Sequence, residues 1–183
     1  MAKQKEPDAL TSVDPKDAIN LAYRLASVHA LCITPFIRNQ FGTHAFMGGP
    51  YCILMMFAWA GAMPSAGMLI YLLLWCAMVA FRRIFSTDRN QQSVYDGYPF
   101  IGAKFPFVKT EFRAKCMEVL LCQFVGIPFI YLSPGIGGFI LLGAVSIGFV
   151  ESVDRTVEQQ RLRQMRDAAL YQQYLADKFR DRR

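Results

Sequence analysis

The stretch Ala45–Phe81 carries no charged residue and is closed by Arg82-Arg83. At about 1.5 Å of rise per residue it is long enough for two bilayer crossings, provided it turns at Met63-Pro64-Ser65-Ala66-Gly67. A second apolar block, Met117–Val150, repeats the arrangement around Ser133-Pro134-Gly135. A soluble chain breaks its apolar runs every few residues, and these two blocks do not. The average, 54% hydrophobic, understates how strongly the apolar residues are concentrated. The sequence therefore reads as an all-α integral membrane protein of two transmembrane helical hairpins.

Four crossings are expected, at about Ala45–Met63, Ala66–Phe81, Cys116–Leu132 and Gly135–Val150. The last two are only about 16 or 17 residues, close to the short limit for spanning, so a re-entrant second hairpin is the alternative. Around them the chain divides into an N-terminal segment (1–44), the first hairpin (45–81), a basic aromatic loop (82–115), the second hairpin (116–150) and a tail (151–183).

Charge sets the orientation. Residues 1–44 hold five Lys/Arg, the central segment seven and the tail eight, which accounts for all twenty. Neither hairpin tip, Pro64-Ser65 or Pro134-Gly135, holds any. By the positive-inside rule the N-terminus, central loop and C-terminus share the cytoplasmic face of what reads as a bacterial inner membrane. The net charge of +6 then faces anionic headgroups, which explains the basic balance without nucleic acid. The first twenty residues are too polar for a secretory leader.

Within the N-terminal segment, Asp14-Pro15 is a helix start, and Ile19, Ala22, Leu25, Ala26 and Val28 recur at helical spacing. This predicts an amphipathic helix to about Ile33, lying along the inner membrane surface or docked on a partner. Gly48-Gly49-Pro50 predicts a delayed start to the first crossing. Ala58 and Ala62, and Ala144 and Gly148, form small-residue faces suited to close helix approach. Glu118 is expected in the first turn of the third crossing, able to reach the interface, and Gln123 to face another helix. The tail contains no Gly or Pro and reads as a helix continuing the fourth crossing.

The central loop holds the residues that most resemble a recognition surface. Tyr95, Asp96, Tyr98, Phe100, Phe105 and Phe107 alternate with Pro and Gly, as rigid aromatic anchors for a partner or as rings lodged in the headgroup layer. Arg82, Arg83, Arg113 and Lys115 flank the apolar blocks and are expected to touch lipid phosphate.

Catalytic spacing is missing: there is no GxSxG, P-loop, HExxH or dinucleotide-binding glycine pattern. His29 and Cys32 stand one helical turn apart, but a chain with only two histidines offers too few further ligands for a metal or haem, so no cofactor is expected. The five cysteines form no CxxC pair and read as small packing residues. The functional expectation is a non-enzymatic accessory subunit of a multiprotein membrane assembly, of the secretion or conjugation kind. Its partners would be lipids and other membrane subunits or copies of itself. One alternative is a homo-oligomeric channel or small transporter with Glu118, Gln123 and Glu151 along a path. The other is an adaptor holding a soluble cytoplasmic protein on the central loop and tail.

Overall fold

The computed structural model describes residues 14–42, 44–85, 97–99, 104, 108 and 110–180. Helices dominate the described residues, in the order α1 (Pro15–Leu31), α2 (Thr34–Ile37), α3 (Gly49–Ala62), α4 (Ala66–Phe85), α5 (Glu111–Leu132) and α6 (Pro134–Arg180). Three segments are long and apolar enough to cross a membrane: Gly67–Phe85, Glu111–Leu132 and the apolar part of Pro134–Leu175. Their outer faces expose Leu73, Phe124, Tyr131 and Leu132 by more than two thirds, an arrangement suited to hydrocarbon and not to water.

Helix α3 is shorter than expected. It begins at Gly49, with Pro50 in its first turn, and its 14 residues rise about 21 Å against a hydrocarbon core of about 30 Å. Ala45–Gly48 form turns before it, because glycine and proline there delay the helix. Ala58 and Ala62 are both exposed, so their small-residue face is left open among the described residues.

The two helix pairs α3–α4 and α5–α6 meet at their turns. Ser65 Oγ lies 3.0 Å from Ser133 Oγ, and the Trp59 indole N–H donates to the Gly135 carbonyl at 2.8 Å. Within the second pair the backbones approach closely at Gly137, where a Cβ would stand 2.6 Å from the Cα of Ile130. Ala144 is fully buried on the same helix. The glycines of α6 face several neighbours: Gly137 lies against α5, Gly143 against Ile33 and Gly138 against Trp59.

Helix α1 departs from the expected surface position. Asp14 caps it through Lys16 N–H, and its first turns are exposed, but Ala30, Cys32 and Ile33 are buried. Cys32 packs with Cys52, Met56, Met68, Trp75 and Phe139, whereas Ala30 and Ile33 pack with Cys122, Ala144 and Ile147. The end of α1 is therefore the shared wall of both apolar clusters. A helix end leaves its last carbonyls without intrahelical donors, which is costly when buried. Helix α4 supplies the donors: Trp75 Nε1–H bonds the Leu31 carbonyl at 3.1 Å and the Tyr71 hydroxyl bonds the Cys32 carbonyl at 2.9 Å. Amphipathic spacing alone cannot separate a surface helix from one whose end is capped by another helix.

Helix α6 is a single helix of 47 residues, about 70 Å long, so the tail does continue the last apolar segment. Its first half packs on α5 and α1, and residues 155–174 are exposed at every position.

Candidate functional site: a buried charge network beside a cleft

Arg38 is the only formal charge between Arg24 and Arg82, and Glu118 the only one between Lys115 and Glu151. The fold brings these two together. Residues 34–37 form the short helix α2, which turns the chain back along the bundle and ends at Arg38 in extended conformation. The Arg38 Nε–H donates to Glu118 Oε2 at 2.8 Å, and Nη2 donates to Glu151 Oε1 at 2.9 Å. Lys115 Nζ completes the network, 3.2 Å from Glu151 Oε2 and 3.5 Å from Glu111 Oε1. Arg38 is 2% exposed and Glu118 is fully buried.

Two cations and two carboxylates at the centre neutralise one another. The fork of a single guanidinium directs separate N–H groups to a carboxylate on α5 and one on α6. Among the described residues, Glu118 Oε1 has no hydrogen-bond partner. Such a buried network adds little net stability against an apolar replacement, but it is costly to break on one side.

This placement corrects the expectation for Glu118. Helix α5 begins at Glu111, capped by Thr110, so Glu118 lies two turns in and points inward instead of reaching the surface. Gln123 lies elsewhere on α5, in a shallow outward groove with Met117, Leu120 and Phe124. The structure brings Glu118 and Glu151 together through Arg38 but leaves Gln123 apart from them.

Next to the network a cleft of about 700 Å³ opens between α1 and α6. Its floor includes Val28, Leu31, Ile147 and Val150, and its mouth carries Tyr23, Asp154, Glu158 and Arg161. The Tyr23 hydroxyl donates to Asp154 Oδ1 at 2.6 Å and ties the two helices at the mouth. Deeper in, His29 bridges to α6: Nε2 lies 3.2 Å from the Phe139 carbonyl and Nδ1 3.1 Å from Ser146 Oγ. A carbonyl only accepts, so Nε2 carries the proton. His29 thereby serves as a tie between helices, and no cluster of three metal-ligating side chains exists among the described residues.

The central loop touches the same region. Tyr98 pairs with Asn39, the residue after Arg38, through hydrogen bonds in both directions. Gly97 has a φ of +92° and lies against the Phe41 ring, where a Cβ would stand at 2.8 Å, so glycine suits this position on both counts. Of the residues read as a recognition surface, Tyr98 is 39% exposed. Tyr95, Asp96, Phe100, Phe105 and Phe107 lie outside the described residues. Of the cations read as lipid contacts, Arg83 and Arg113 are exposed. Arg82 donates to the Pro35 carbonyl at 3.0 Å, and Lys115 is committed to the network.

Sequence reasoning alone does not single out Arg38, Tyr23 or Asp154, which the fold brings to this site. A signal for Arg38 existed: a lone cation and a lone anion, each stranded in an apolar block, have strong reason to pair. No family model, no curated protein and no solved structure matches this chain.

Proposed function

We propose that the protein is a non-enzymatic, membrane-embedded subunit of a larger membrane assembly, in which the projecting half of α6 docks a neighbouring subunit. The observation that carries this reading is the surface of residues 155–174. They leave the bundle as continuous helix, are exposed at every position, and expose Leu162, Met165, Leu170, Tyr171 and Tyr174 by more than half. A solvated helix gains nothing from such side chains, whereas aromatic and methionine residues are typical anchors of an interface.

In this reading α3 crosses with the other three apolar helices, its shortness met by local thinning of the bilayer. The adjoining turns of the two pairs support the arrangement, because both uncharged tips lie at one end and the charge network near the other. The charged end is assigned to the cytoplasm by the positive-inside rule, and a secretion or conjugation apparatus is the kind of assembly proposed.

Purification of the tagged chain in mild detergent, with sizing and mass spectrometry, tests the proposal. Other polypeptides should co-purify, and they should be lost when residues 162–183 are deleted while insertion persists. A species containing this chain alone overturns it.

A further inference from the structure

Gln123 is a polar side chain placed where the fold gives it nothing to bind. It lies eight residues past Lys115 and nine before Leu132, about 12 and 14 Å along the α5 axis, so near the middle of the apolar span. At that depth a glutamine cannot stretch to either surface. No hydrogen bond among the described residues holds its carboxamide. Left in hydrocarbon, an unpaired amide is unfavourable, and intramembrane polar residues characteristically face a partner.

The residues around it have the spacing of a helix–helix seam. Cys116, Leu120, Gln123, Ile127 and Ile130 follow one another at steps of four, three, four and three. Cys116 is exposed, as are Leu120 (55%), Ile127 (54%) and Ile130 (38%). A stripe at this average spacing of 3.5 stays in register with a neighbouring helix along its whole length, and one polar residue within it selects the register. Pro128 adds a second feature. It has no N–H to give the carbonyl of Phe124, which stands beside Gln123 on a residue 76% exposed.

We propose that α5 pairs with the α5 of a second copy, with Gln123 meeting Gln123 at the centre of the seam. The choice of a second copy follows from the chemistry of the amide. A carboxamide carries both donors and an acceptor, so two identical ones satisfy each other across a twofold axis. Copies inserted in the same orientation are related by an axis along the membrane normal, which sets the two α5 helices parallel and the two glutamines at one depth. The Phe124 carbonyl then stands within the seam as a further acceptor for the opposite amide. The inference rests on α5 lying in a bilayer and not on docking by α6, so deleting residues 162–183 leaves it intact.

The test uses the full chain in lipid vesicles. Leu120→Cys is introduced with Cys76 and Cys116 changed to Ala, and Leu73→Cys in the same background reports a lipid-facing position on α4. Mild oxidation should yield a two-copy species for L120C and not for L73C. Fluorescence energy transfer between labelled copies should show Gln123→Leu weakening association by roughly three- to thirtyfold, with Gln123→Asn closer to the parent. L120C cross-linking no better than L73C, cross-linking to a different polypeptide, or Q123L associating like the parent overturns the inference.

Discussion

Arg38 Nε and Glu118 Oε2 lie 2.8 Å apart, although 80 positions separate them and each is a lone charge within an apolar part of the chain. Their pairing joins the segment after α2 to α5, and the second branch of the guanidinium reaches α6 through Glu151. Three parts of the chain far apart in sequence are thereby set at one level. A desolvated ion pair contributes little to stability against apolar side chains of the same volume, so its value here lies in register.

That view predicts an asymmetry. Glu118→Ala should destabilise by about 3–5 kcal/mol, because it strands the buried guanidinium. The double change Arg38→Met/Glu118→Met should lose much less. Denaturant titration of the parent, Arg38→Met, Glu118→Met and the double variant, read as a double-mutant cycle, measures the coupling. A double variant as unstable as the two singles combined contradicts the account.

Gly137→Ala should separate α5 from α6, since the added Cβ meets backbone atoms of Phe129 and Ile130 and not a side chain that can turn aside. The expected loss is about 1–3 kcal/mol or more. Gly61→Ala is the control: nothing stands within 4 Å of its Cβ position. Relief of the helical penalty of glycine should make that variant neutral or more stable by up to about 1 kcal/mol. Thermal unfolding in detergent distinguishes the two.

Gly97→Ala should release the central loop from the segment after Arg38. It forces a side chain into a left-handed conformation, at about 1–3 kcal/mol, and into the Phe41 ring. Hydrogen exchange at the Tyr98 amide, which bonds the Asn39 carbonyl, should accelerate about tenfold or more. Unchanged protection at Tyr98 would show that the pairing does not depend on the glycine.

Deleting residues 162–183 should leave the unfolding temperature within about 2 °C of the parent, because residues 162–174 of α6 are exposed at every position. A drop of 5 °C or more would mean that the tail supports the bundle itself.

The apolar blocks, their breaks at Pro64 and Pro134, and the continuous tail were legible in the sequence because each depends on local composition. A membrane span is long and uncharged, and proline and glycine end it wherever they occur. The start of α3 at Gly49 was legible for the same reason. The position of α1 was not. Its spacing describes an amphipathic helix, but burial of its end depends on Tyr71 and Trp75, more than forty residues away, offering donors to the Cys32 and Leu31 carbonyls. The charge network sits between these cases. The isolation of Arg38 and of Glu118 could be read from the chain, and the need of a buried charge for a partner is general. Which partner each one took depended on the turn at α2 and the packing of α5 on α6. The sequence by itself thus determined which segments form the apolar helices. Only the tertiary structure decided which polar groups are buried among them, because desolvating a polar group is tolerable only when distant residues supply its hydrogen bonds.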